Sequence, residues 1–384
     1  MYSFLGLALL FAFPPVHDNA SELLPPGITM EKAFEGWIAL YDGATDYGWK
    51  TTGDVKIEKG ILTLGGEKPA AITTNSAFGA IELVIHYRID GAKGGFQVTG
   101  PDSKTHHKES STPPASEYKH FTLSIPNADK AGPVSLTTDP GTTLHIQSIV
   151  LKPLGAKPIF NGKDLTGWKE IPGKKSKFSV NSAGELNVKD GPGDLQTVGQ
   201  WDDFILQLDI ISNGDHLNSG IFYRCLPDIF WSGYEAQVRN EWQSTVKLKN
   251  GKSYTSSVTI TGDNVKFTGE GKKSMTVPKS EVDSITDHRD RPIDIGSGGI
   301  YNRCPARKVV STDRQWYTMT VLANGNHHAV WVNGYQTADF IDTKPINKSA
   351  RQGRKDEAGP LSIQGHDPTT DLNFKNIRIL ALPK

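Results

Sequence analysis

Residues 203–211 read Asp203-Phe204-Ile205-Leu206-Gln207-Leu208-Asp209-Ile210-Ile211. Phe204, Leu206, Leu208 and Ile210 fall on one side of an extended chain, Gln207 and Asp209 on the other. A period of two marks a strand with one buried face. The same rhythm returns at 80–89, 118–125, 144–151, 316–323 and 372–380. These short runs are separated by turn residues, in a chain of 384 residues with 39 Gly and 23 Pro. That pattern argues for an all-β chain built as a sandwich or barrel.

Working outward, the runs form an internal repeat. The first half opens with Trp37-Ile38-Ala39-Leu40-Tyr41-Asp42-Gly43 and then Gly48-Trp49-Lys50. The second opens with Ile159-Phe160-Asn161-Gly162-Lys163-Asp164-Leu165-Thr166-Gly167-Trp168-Lys169. Each opening leads to a pair of strands about a glycine, an alternating strand, an aromatic-led strand and a closing apolar strand. The chain therefore reads as two copies of one β domain, 28–155 and 156–384, joined near 152–157. Each half is long enough to bury its own core. Two segments do not repeat. Residues 100–114, polar and rich in Ser, Thr, His and Pro, read as a loop, with His106-His107 part of it rather than a metal pair. Residues 245–287 read as short strands around tight turns, a small SH3-like β-barrel inserted in the second copy.

Lys+Arg 42 balances Asp+Glu 42. A basic footprint for nucleic acid is missing, and so is a polybasic membrane surface. Residues 4–13 (FLGLALLFAF) form an apolar run of about ten. That is too short for a bilayer, which takes about 20 residues, and it matches the core of a secretory signal. Residues 1–27 thus read as a leader, and the expected address is secreted or periplasmic; a buried N-terminal strand is the alternative. Only Cys225 and Cys304 occur. They read as a disulfide in an oxidising compartment or as two buried thiols, and their spacing makes no zinc site.

Period-two placement gathers polar side chains in the second copy. Asn218 and Arg224 share a face with Gly220 and Phe222; Glu235, Gln237 and Arg239 share one; so do Ser362, Gln364 and His366. If these strands are neighbours, a carboxylate, carboxamides, an arginine and an imidazole line one sheet surface, with Trp331 as an aromatic wall. Sugars need this mix, because carboxamides, Arg and carboxylates bond ring hydroxyls while an aromatic face stacks on C–H groups. A carboxylate and a histidine in reach of one another also share acid–base work. The bland alternative is a sheet face that is simply wet. The first copy lacks the set, so a single active site belongs to the second. Neither G-x-S-x-G nor H-E-x-x-H occurs.

The motifs Phe160-Asn161-Gly162-Lys163-Asp164-Leu165-Thr166-Gly167-Trp168, Asn218-Ser219-Gly220-Ile221-Phe222-Tyr223-Arg224, Gly233-Tyr234-Glu235-Ala236-Gln237, Gly298-Gly299-Ile300-Tyr301, Trp331-Val332-Asn333-Gly334 and Gly359-Pro360-Leu361-Ser362-Ile363-Gln364-Gly365-His366 occur in this order. With them the second copy resembles the 3-keto-disaccharide hydrolase family. The resemblance implies tandem concanavalin A-like β-sandwiches of jelly-roll type, the first copy being a diverged relative. It also implies action on glycosides already oxidised at C3, whose C2 proton is acidic enough for a base to remove. On that reading Glu235 and His366 are the acid–base pair. Arg224 and Gln237 polarise the ketone or hold hydroxyls, and Asn218, Gln364 and Tyr301 position the sugar. The resemblance allows a divalent metal at the His/Glu positions. The partner is an oxidised glycoside or glycan, with no nucleic acid and no membrane span. The runner-up is a non-catalytic carbohydrate-binding module, and a protein-contact scaffold comes third.

Overall fold

The computed structural model describes residues 23–91, 94–110 and 117–384. The apolar 4–13 run and most of the expected leader lie outside them. Among the described residues the regular structure is almost wholly antiparallel strand. The first half pairs two sheets. One runs Val55–Glu58, Ile61–Gly66, Thr142–Pro153, Ile81–Asp90, Lys119–Ile125, with Ile38–Ala39 added at Thr142–Pro153. The other runs Trp49–Thr52, Ala71–Thr74, Ser135–Thr138, Gly95–Thr99, Thr105–Ser110.

The second half repeats that order. Its large sheet runs Lys177–Val180, Leu186–Lys189, Asp371–Ala381, Phe204–Ser212, Tyr317–Asn324, and then extends by His327–Val332 and Tyr335–Ile341. Its small sheet runs Trp168–Glu170, Gly193–Thr197, Ser362–Gly365, Ser219–Tyr223, Tyr234–Val238. Leu206, Leu208, Ile210, Ile221, Tyr223, Ala236 and Ile363 meet in the core between the two sheets. In the first half Thr105–Ser110 occupies the edge position that Tyr234–Val238 holds in the second. The expected 100–114 loop is thus corrected: its middle pairs with Gly95–Thr99 and completes the sheet.

The face of Phe204–Ser212 carrying Gln207 and Asp209 is not wet. Ile81–Asp90 alternates between buried and half-buried residues, whereas Phe204–Ser212 is buried on nearly every residue. The first sandwich lies against it. Ile205, Leu322, Ala329 and Trp331 belong to the apolar cluster of the first half. Gln207 Nε2 donates to Gly36 O at 2.9 Å, and Asp209 accepts from Asn376 Nδ2 at 2.6 Å. Buried polar groups need such partners, since each one left unmatched costs about 1–3 kcal/mol.

The insert has six strands: Ser244–Leu248, Ser253–Ser256, Thr259–Thr261, Asn264–Thr268, Ser274–Pro278 and Val282–Asp287. They form two three-stranded ladders that share one apolar cluster of Val246, Leu248, Val265, Phe267, Val277 and Val282. Ser244 pairs with Asp287, so the chain enters and leaves the insert at one point. Cys225 and Cys304 are both free.

Candidate functional site

The small sheet of the second half turns one face away from the core. Register fixes which side chains share it. Glu235 lies opposite Phe222, Phe222 opposite Ser362, Ser362 opposite Gln196, and Gln364 opposite Asp194. Side chains on directly paired residues point to the same side of a sheet. Gly220 makes room for Glu235: a Cβ there would stand 2.8 Å from Glu235 Oε1 and 2.9 Å from its Cγ.

At one end of this face is a pocket of about 230 Å³. Glu235 and Trp231 come from the edge strand and the segment before it, Tyr301 to Arg303 from a turn, and Lys344 and Arg351 to Gly353 from a long connection. The turn is docked on the edge strand by Tyr301 N to Glu235 O at 3.0 Å and Gln237 N to Gly299 O at 2.8 Å. The connection is held by Gly233 N to Ala350 O at 2.8 Å and by Arg303 Nη2 to Gly353 O at 2.9 Å. It brings Arg351 over the sheet. The guanidinium donates to Glu235 Oε2 at 2.7 Å and lies 4.6, 5.1 and 5.6 Å from the rings of Trp231, Phe222 and Tyr301.

Glu235 is 4% exposed. Burial pushes its carboxyl up to about 7, against the pull of Arg351 and with the negative charge of Asp194 adding to the rise. A carboxyl near 7 is suited to take and return protons at neutral pH. Burial also raises Asp194, to about 6, against the pull of the Trp231 amide bonded to it. A deep carboxylic acid, a guanidinium that supports a developing anion and aromatic walls can hold a polyhydroxylated ring and move a proton at one of its carbons.

The family model of the 3-keto-alpha-glucoside-1,2-lyase-like domain matches residues 155–380. The chain belongs to that family. The lyase-like domain carries the pocket just described, and its membership places the chain among carbohydrate-active proteins. No curated protein matches the chain. Among solved structures, a candidate glycosyl hydrolase from Parabacteroides distasonis is 22% identical, covering 59% of this chain and 94% of its own at a TM-score of 0.40. A family 66 carbohydrate-binding module from Bacillus subtilis is 14% identical, covering 55% and 93% at a TM-score of 0.32.

In the lyase-like domain, Glu235 and Tyr301 come together in the pocket. Gln237 and Gln364 lie further along the same face, and Gln237 Nε2 donates to Asn218 Oδ1 at 2.7 Å. Three expected residues are elsewhere. Arg224 is corrected from ketone binder to structural anchor. The strand ends at Tyr223, Arg224 turns at φ 50°, and its guanidinium bonds the carbonyls of Asp202, Gly325 and Lys355 together with Asp203. Trp331 is corrected from sugar-stacking wall to interface residue: it is buried between the sandwiches and donates to Ala39 O at 3.1 Å. His366 lies four residues beyond Ser362 and two strands from Glu235, about 16 Å away by strand geometry. Its Nδ1 pairs with Asp367 at 2.9 Å in a half-exposed position. The pairing of Glu235 with His366 and Arg224 is therefore not assembled.

Arg351, Trp231 and Asp194 were not found by sequence reasoning. Arg351 sits in a polar connection without periodicity. Asp194 lies on a short strand whose neighbour, Ser362–Gly365, is distant in sequence. The donor set for a divalent ion does not fit either. Among the described residues, no three His, Cys, Asp or Glu side chains converge, and Glu235 is already engaged by Arg351.

Proposed function

We propose that the protein cleaves 3-keto-glycosides by removing the C2 proton. The observation that carries this reading is the buried Glu235 carboxyl, pushed up to about 7 beside Arg351 in an aromatic-walled pocket. As carboxylate, Glu235 takes the proton from C2, and the C–H electron pair moves through C2–C3 onto the ketone oxygen as an enolate. Arg351 stabilises that anion. Return of the electrons forms the C1–C2 double bond and expels the C1 oxygen, which takes up the proton held by Glu235. Water then adds across the double bond, hydroxyl to C1 and proton to C2, giving net hydrolysis. Trp231 supplies the aromatic surface that Trp331 does not, and Tyr301 lines the pocket beside Glu235. Export, read from the 4–13 run, belongs to the same proposal.

Incubation with a 3-keto-disaccharide in deuterated water tests it. The expected product is a free keto-sugar carrying deuterium at C2, formed faster than free keto-sugar exchanges alone. Release without label at C2 means direct hydrolysis and refutes C2 abstraction. The cluster of Trp231, Tyr301 and Phe222 around one guanidinium also suits a site that only holds a glycan. Binding without any release would establish that second reading.

A further inference from the structure

Beside the Glu235 pocket the sheet face continues under a roof. Asp194, Ser362 and Gln364 occupy neighbouring positions on its two middle strands and are 1%, 0% and 3% exposed. Asp194 Oδ1, Ser362 Oγ and Gln364 Oε1 are buried and have no hydrogen-bond partner. Three unmatched oxygens on one patch are a standing penalty that a hydrogen-bonding ligand relieves. All three can accept from a hydroxyl.

The roof is residues 225–233. Its attachment to the floor is polar. Gln196 Nε2 donates to Leu226 O and Ile229 O at 3.3 Å each, Asp228 N donates to Gln196 Oε1 at 3.0 Å, and Trp231 N donates to Asp194 Oδ2 at 2.8 Å. Asp228 and Trp231 sit at φ 62° and 55°, and Arg224, just before the roof, at 50°. Left-handed backbone at non-glycine residues is strained. Ile229 and Trp231 are 45% and 42% exposed. The stretch 226–231 is thus strained, exposed or half-buried, and tied to the floor by bonds that sugar hydroxyls can replace, between ends at Cys225 and Ser232 that stay buried.

We infer that Asp194, Ser362 and Gln364 form a second sugar subsite, continuous with the Glu235 pocket and opened when residues 226–231 lift. This deepens the proposed function and rests on it: the substrate has at least two rings, and the second subsite accepts hydrogen bonds from the hydroxyls of the ring next to the keto-sugar. Continuity follows from Trp231, which lines the Glu235 pocket with its ring 4.6 Å from the Arg351 guanidinium while its amide bonds Asp194 Oδ2. The patch offers a carboxyl, a hydroxyl and an amide oxygen as acceptors for ring hydroxyls, with Lys174 and Arg351 the cations that act on Asp194. Trp231 rides on the roof and closes over the bound rings.

The test compares 3-keto-maltose with methyl 3-keto-α-glucoside. The wild type is expected to favour the two-ring substrate in kcat/KM. Ser362→Ala and Asp194→Asn are each expected to lower that preference by about fivefold, the size of one lost hydrogen bond. Asp194→Asn keeps an acceptor for the Trp231 amide, and either variant alone suffices if the other fails to fold. Equal losses on both substrates mean a structural role and overturn the subsite. A parallel titration with unoxidised maltose, followed by Trp fluorescence, separates the two levels. Saturable binding that Ser362→Ala weakens, without cleavage of any keto-substrate, keeps the subsite and removes the lyase reading. Cleavage with an unchanged substrate preference does the reverse. Neither maltose binding nor cleavage overturns both.

Discussion

Glu235 is held in a state that costs the folded protein stability. Its carboxyl has a raised pKa, so the ionised form is disfavoured in the fold relative to the unfolded chain. That penalty is absent at acid pH, where the group is protonated in both states, and grows as pH rises from about 4.5 to about 7. Glu235→Gln is therefore expected to unfold at higher temperature than the wild type at pH 8, by an amount on the order of 2 kcal/mol, and to match it near pH 4.5. The same variant should lose about 100-fold or more in kcat on a 3-keto-disaccharide. The acid limb of kcat/KM should follow ionisation of Glu235, near pH 7. Arg351 pulls that ionisation down, so Arg351→Met is expected to move the limb to higher pH; a limb left in place would take Arg351 off the reacting groups. Arg224 is different. Its guanidinium serves three carbonyls and Asp203 in a buried position. Arg224→Met should cost roughly 3 kcal/mol in thermal unfolding, with the pH limb unmoved.

At the level of elements, the edge strand Tyr234–Val238 does two jobs. It presents Glu235 and serves as the rail on which residues 298–304 dock. Gly220 on the neighbouring strand leaves the space that Glu235 fills. Gly220→Ala is expected to displace the carboxylate and lower kcat/KM about tenfold or more, because acid–base geometry tolerates little misplacement. The insert leaves the edge strand at the end remote from the pocket and has its own apolar core. Excising residues 245–286 and closing Ser244 to Asp287 with two glycines should leave a folded sandwich, checked by circular dichroism and by kcat/KM. The inward and outward positions of Ser219–Tyr223, Tyr234–Val238 and Ser362–Gly365 were legible in sequence, since alternation alone sets them. Arg224 and His366 were misplaced for one reason: both lie just past a strand end, where alternation stops fixing direction.

For the whole molecule, the first sandwich acts as the cover of the second. It buries Ile205, Leu322, Ala329 and Trp331, and hydrogen bonds from Gln207 and Trp331 cross the junction. Residues 156–384 produced alone would expose that apolar patch. They are expected to aggregate or to melt well below the full chain, as followed by light scattering and calorimetry. Trp331→Ala, which empties the junction, should destabilise the full chain by about 3–5 kcal/mol. Two separate thermal transitions in the wild type would argue against this coupling.

The alternation of Phe204–Ser212, Ser219–Tyr223, Tyr234–Val238 and Ser362–Gly365, and with it the side of the sheet that carries Glu235, was readable in the sequence, while the strand Thr105–Ser110 was not. The readable part follows from local periodicity along the chain. Only the tertiary structure decided that Arg351 rather than Arg224 meets Glu235, that Trp231 rather than Trp331 walls the pocket, and that the polar side of Phe204–Ser212 is an interface. Those outcomes depend on where connections without a repeat cross a sheet and on what a neighbouring domain covers. Contacts between residues more than a hundred positions apart leave no period in the chain that makes them.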